Sequence, residues 1–196
     1  MTPPPPEVSR VLTLDLGTYL GWCLRRADGT ISSGQEHLER LKSQPEGFQF
    51  LRFRQFLVQA DQHVGGLDHI VYEQKTFNSP GRRGGKVVQG GFKAAQLYGA
   101  WWGILLGWCA YKRIPCYPVH VSTLKKSVAG HGHAKKWQIA EACQAYWPGW
   151  NPKSEDESDA RGLMLHFIRE LDPAISQSAP LQPQPQPQLP LRRAGS

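Results

Sequence analysis

A single α/β domain on a five-stranded mixed sheet, with its first three strands antiparallel and helices on both faces, is what this sequence predicts. Two observations carry the prediction. The first 38 residues contain three strand-like runs joined by tight turns. The rest then alternates helix, strand, helix and strand before closing on helices, the order of strand–helix–strand crossovers. The 196 residues leave room for one domain with a sizeable core.

Residues 11–16 form an apolar run with an acid in it, Val-Leu-Thr-Leu-Asp-Leu, and Gly17-Thr18 turns the chain. Residues 21–25 are the antiparallel partner, Asp28-Gly29 is a hairpin turn, and residues 30–38 supply a third strand. Helical spacing of Phe50, Phe53, Leu57 and Val64 predicts a helix over about 46–63, stopped by Gly65-Gly66. The apolar run 67–73 reads as a buried strand. The Gly- and Arg-rich stretch 78–91 reads as a loop broken by Pro80-Gly81 and Gly84-Gly85. An apolar helix follows over 92–110, with Trp101, Trp102 and Trp108 as core or subunit-interface residues, and then a short strand over 115–120. Ser122 caps a short helix over 124–129, a Gly-His-Gly-His loop leads to a helix over 134–146, and Ser154 is the natural N-cap of a last helix over 155–170.

The ends read differently. Residues 1–7 are rich in proline, and residues 173–196 are proline- and glutamine-rich chain ending near Arg192-Arg193, so the folded unit is expected over 8–172 with disordered tails. No stretch reads as a membrane span or a secretory signal, and the four cysteines form no Cys-x-x-Cys pair. A reduced, cytoplasmic protein is the expectation.

Four carboxylates stand out. Asp15 and Glu73 each close an apolar strand, where an unpaired acid is costly. Asp156 and Asp159 lie three apart and so share one face of the last helix. With the first strand beside the strand ending at Glu73, all four can meet. Clustered carboxylates suit Mg²⁺ or Mn²⁺, hard ions that take oxygen ligands. Asp15 alone could be a turn residue, and Asp156 and Asp159 alone could be first-turn charges favoured by the helix dipole, as Glu155 and Glu157 are read.

The net charge is +7 with a pI near 9.4, and its distribution matters more than its size. From Gln74 to Ala140 there is no Asp or Glu, while Lys75, Arg82, Arg83, Lys86, Lys93, Lys112, Arg113, Lys125, Lys126, Lys135 and Lys136 all fall there. A basic surface beside an acidic, metal-binding centre is the layout of an enzyme that holds a polyanion and cuts it.

In order along the chain, Leu14-Asp15-Leu16-Gly17-Thr18 with Gly21, Ile70-Val71-Tyr72-Glu73-Gln74, the segment from Lys125 to Ile139, and Asp156-Glu157-Ser158-Asp159-Ala160 resemble the motifs of the RuvC family of Holliday-junction resolvases, within the ribonuclease H-like superfamily. Asp-x-Gly-Thr alone also occurs in sugar kinases and actin-like ATPases, so the resemblance rests on the set. It implies a ribonuclease H-like fold and a homodimer that binds four-way junction DNA. It implies paired cutting of two opposed strands, as a crossover junction endodeoxyribonuclease. It further implies two Mg²⁺ (or Mn²⁺) ions per site, with Asp15 bridging and Glu73, Asp156 and Asp159 as ligands. Lys136 would offset charge developing at phosphorus. Lys125 is the segment's other phosphate-contacting lysine, and Lys126 and Lys135 could exchange roles with the pair. The aromatic that such enzymes place after this glutamate to wedge into the junction falls on Phe77, one residue late. The Gly/Arg loop and proline tails depart from the bacterial pattern and point to a phage or prophage relative. Ribonuclease H or exonuclease-like activity, or a non-catalytic DNA-binding module, are the alternatives.

Overall fold

The computed structural model describes residues 8–75 and 90–172, together with the backbone of two short strands between them. The tails and Phe77 lie outside the described residues, as do the side chains of Arg82, Arg83 and Lys86. Its elements are β1 (Val11–Asp15), β2 (Tyr19–Arg25), β3 (Ile31–His37), α1 (Phe48–His63), β4 (His69–Gln74), β5 (Arg82–Arg83), β6 (Lys86–Val87), α2 (Gly90–Lys112), β7 (Cys116–His120), α3 (Val121–Ala129), α4 (Lys136–Tyr146) and α5 (Glu155–His166). One π-type turn, Phe167–Leu171, extends α5.

The main sheet has the order β3-β2-β1-β4-β7, with β1–β2 and β2–β3 antiparallel and β1–β4 and β4–β7 parallel. Pro118, which has no N–H to give a ladder, sits on the edge strand β7. Period-two alternation divides the core. Leu12, Leu14, Ile70 and Tyr72 point to the face covered by α1 and α2, where Phe53, Leu57, Trp101, Leu105 and Trp108 are buried. Val11 and Val71 point to the opposite face, against Leu124, Ile139, Leu163 and Met164 of α3, α4 and α5. Each fully buried Leu or Phe here contributes about 1.5–3 kcal/mol.

Helix α5 crosses the sheet against β1 to β4. Ser154 caps it by accepting from Glu157 N at 3.1 Å, and Arg25 holds its far end through a 2.8 Å ion pair with Asp172. In the middle, Thr13 Oγ1 donates to Ala160 O at 2.6 Å.

Several elements differ from the sequence reading. Stretch 78–91 is not all loop: β5 and β6 pair across Gly84-Gly85, a two-residue hairpin signal, and α2 begins at Gly90. The cap of α3 is not Ser122. The helix starts one residue before it, and the imidazole of His120 accepts from Ser122 N. The tryptophans of α2 split: Trp101 and Trp108 are buried, whereas Trp102 is exposed and donates through its indole N–H to Tyr72 OH at 2.8 Å. Cys23, Cys109 and Cys143 are buried and all four cysteines are free thiols. No helix among the described residues is long and apolar enough to cross a membrane.

Candidate active site

Asp15 is on the same alternation as Val11 and Thr13, so it faces α5. Glu73 follows Val71 in the same way. In the parallel register Leu14 opposes Tyr72, which leaves Asp15 and Glu73 neighbours at the C-terminal edge of the two central strands. The first turns of α5 lie over that edge. Asp15, Glu73, Asp156 and Asp159 thus line one cavity of about 290 Å³, with Lys75, Lys125 and Lys136 in its wall. Lys126 and Lys135 are exposed and do not line it.

The close approach of α5 depends on Gly21. It pairs with Asp15 across the β1–β2 ladder, and a Cβ at this position would run into the backbone carbonyl of Asp156.

Three of the acids have nitrogen partners. Lys75 Nζ lies 2.7 Å from Asp15 Oδ1. Gln35 Nε2, from β3, donates to Asp156 Oδ2. Lys136 Nζ lies 3.3 Å from Asp159 Oδ2 and 3.0 Å from Glu155 Oε2. Burial opposes the charge of both lysines, but the adjacent carboxylates more than offset it and hold both ammonium groups above their ordinary pKa. Among the described residues no nitrogen is paired with Glu73, although the Lys75 charge acts on it. Burial and then the charge of Asp15 push its carboxyl up to about 7. Asp159 is raised too, by burial first, with Lys136 opposing and Asp15 adding.

The donor set suits a hard divalent cation. The oxygens are carboxylate oxygens, and the buried Asp15 Oδ1 already holds a cation, the Lys75 ammonium. Among the described residues, however, no three acidic, histidine or cysteine side chains already surround one point as ligands. His131 and His133, in the loop before α4, stay outside the cavity.

The raised Glu73 pKa gives a stability prediction for the metal-free chain. Below pH 4.5 Glu73 is protonated both folded and unfolded. Between 4.5 and about 7 the unfolded chain releases its proton first, so the native state binds more protons and stability falls as pH rises. Melting curves from pH 4 to 8 in chelator should show a smaller fall in Glu73→Gln than in wild type, the raised Asp159 adding to the fall in both and the half-buried His69 and buried His166 opposing it. An identical pH profile in the variant would show that Glu73 titrates normally.

Sequence reasoning missed Lys75, Gln35 and the place of Glu157. Glu157 is a first-turn acid of α5, as read, and has a further role. It is buried and accepts from Ser33 Oγ (2.7 Å), Trp150 Nε1 (3.2 Å) and Lys153 N (2.9 Å), which joins α5 to β3. The basic span is also less free than its composition implies, since Lys112 pairs with the buried Asp61 at 2.7 Å.

A sheet ordered β3-β2-β1-β4-β7, three strands antiparallel and two parallel, with acids at the ends of the central strands and on the crossing helix, is the ribonuclease H-like architecture. Among solved structures the chain is similar to RuvC of Thermus thermophilus in complex with a Holliday junction substrate. The TM-score is 0.67 at 18% identity, over 85% of this chain and 96% of that one. A second Thermus thermophilus RuvC structure aligns with TM-score 0.62 at 19% identity, over 81% and 93% of the two chains. The chain has the RuvC fold. No family model matches its sequence, and no curated protein sequence matches it significantly.

Proposed function

We propose that this protein is a structure-selective DNA endonuclease that resolves four-way junctions by metal-dependent phosphodiester hydrolysis, acting as a homodimer. The observation that carries the reading is the convergence of Asp15, Glu73, Asp156 and Asp159 on one cavity of a RuvC fold. Bound there, Mg²⁺ or Mn²⁺, two per site, would supply an activated water and stabilise the leaving oxygen. Asp15 and Glu73 present ligand oxygens from the sheet, and Asp156 and Asp159 present theirs from the helix. Lys136, already on Asp159, is placed to neutralise charge gathering on the phosphate. Lys125 in the same wall would hold a backbone phosphate, and Lys126, Lys135, Arg82, Arg83 and Lys86 would extend that contact along a DNA arm. Phe77 would open the stack at the crossover.

The test is cleavage by the purified full chain of a synthetic four-way junction, set against an RNA–DNA hybrid, a flap and a linear duplex, with Mg²⁺ or Mn²⁺. Paired symmetric nicks in the junction alone are expected. Preference for the hybrid would favour a ribonuclease H activity, and binding without cutting would leave a junction-binding module.

A further inference from the structure

Lys75 follows β4 by one residue and is held on two sides. Its ammonium meets Asp15 Oδ1 at 2.7 Å and donates to Leu16 O at 2.8 Å. Its backbone N donates to Tyr98 OH at 3.1 Å, and that hydroxyl donates to Glu73 O at 2.9 Å, so α2 fixes the stretch from which the side chain reaches into the cluster. The ammonium faces the Asp15 oxygen that has no hydrogen bond of ordinary geometry. Lys75 also borders a second cavity of about 440 Å³, with Thr18, Lys93 and Leu97 among its walls, and its side chain is 32% exposed. It therefore has somewhere to go.

We infer that Lys75 is a resident cation of the carboxylate cluster, one that a divalent ion must expel from Asp15 before it can bind. The inference rests on the four acids being a metal site. The ammonium sits 2.7 Å from Asp15 Oδ1, in the place that an ion on that oxygen would take, so the two cations compete for it. Loading is thus an exchange: the ion takes the Asp15 oxygen, and the ammonium swings into the neighbouring cavity, whose wall also holds Glu39. The exchange makes the apo site stable as well as weak for metal, since without Lys75 the acids would repel one another.

The probe is Mn²⁺ alone, titrated calorimetrically into the full chain without DNA. Lys75→Met keeps the apolar stem and removes the charge, and its Kd for Mn²⁺ should drop by at least about tenfold. Its melting temperature in chelator should be lower than wild type, and Mn²⁺ should raise it by more. Unchanged or weaker Mn²⁺ binding by Lys75→Met overturns the inference, because a purely structural lysine predicts that result. A measurement on the unmutated chain is independent of how the variant folds. With ¹⁵N-lysine, the protected Lys75 ammonium signal seen without metal should disappear on saturation with Mg²⁺, and its persistence would equally overturn the exchange. If neither wild type nor Lys75→Met binds Mn²⁺ more tightly than Asp15→Asn does, the metal reading itself fails along with the exchange.

Discussion

Asp15→Asn is expected to abolish junction cleavage, by a factor of 10³ or more, while junction affinity stays close to wild type, and Asp159→Asn should do the same. The amide has almost the shape of the acid but lacks its charge, and a hard cation held by oxygens depends on that charge. The size of the effect follows from position. Asp15 lies beside Glu73 on the sheet, and its charge acts both on Glu73 and on Asp159 of α5. Binding should survive because Lys126 and Lys135, proposed to contact phosphate, lie outside the cavity that the four acids line. Gel-shift affinity and single-turnover cleavage on one junction check both halves. Turnover within tenfold of wild type in either variant would remove these acids from the mechanism.

Gly21→Ala is expected to damage fold and site together through one methyl group. Its Cβ meets backbone, the Asp156 carbonyl, which cannot rotate away as a side chain can. Either α5 lifts from β2 or the β1–β2 ladder bends at Asp15, the partner of Gly21. Overpacking of this kind costs about 1–3 kcal/mol, and a shift near 1 Å at a catalytic ligand costs about 100-fold in rate. The expected result is a melting temperature several degrees lower and cleavage reduced at least about 100-fold, even at temperatures where the variant remains folded. Wild-type cleavage by a fully folded Gly21→Ala protein would show that the position of α5 does not control the site.

What the sequence disclosed follows from the range of each interaction. Asp15 and Glu73 were legible because strand periodicity is local: once Val11 and Val71 are assigned to a face, the acids are assigned with them. Asp156 and Asp159 were legible from helix periodicity, and Ser154 from its place before the helix. The partners of the acids were not legible, because each arrives from a distant segment. Gln35 is 121 positions from Asp156, and Lys75 looks in sequence like one more residue of a basic tract. Glu157 was legible only in part, for a related reason. A glutamate in the first turn of a helix satisfies the dipole, and only tertiary packing against Ser33 and Trp150 shows that it is inside. Ser122 was read as a cap because serine commonly is one, but the neighbouring His120 ring serves instead.

The division of the cluster between sheet and helix has a consequence for the life of the molecule before it is fully folded. Asp15 and Glu73 come from β1 and β4, while Asp156 and Asp159 come from α5, the last helix of the described chain. A nascent chain still emerging from the ribosome has made the sheet strands and lacks the helix, so it would carry half the proposed ligand set and could not use it. Local opening of α5 in the finished protein has the same effect, and such openings cost less than global unfolding. An ion or a phosphate held by both halves works in the other direction, since it binds only the docked state and so closes the opening in proportion to its concentration over its Kd. On the proposed reading, a protein that cuts junction DNA is therefore inert when half made, and most tightly closed when its substrate is in place.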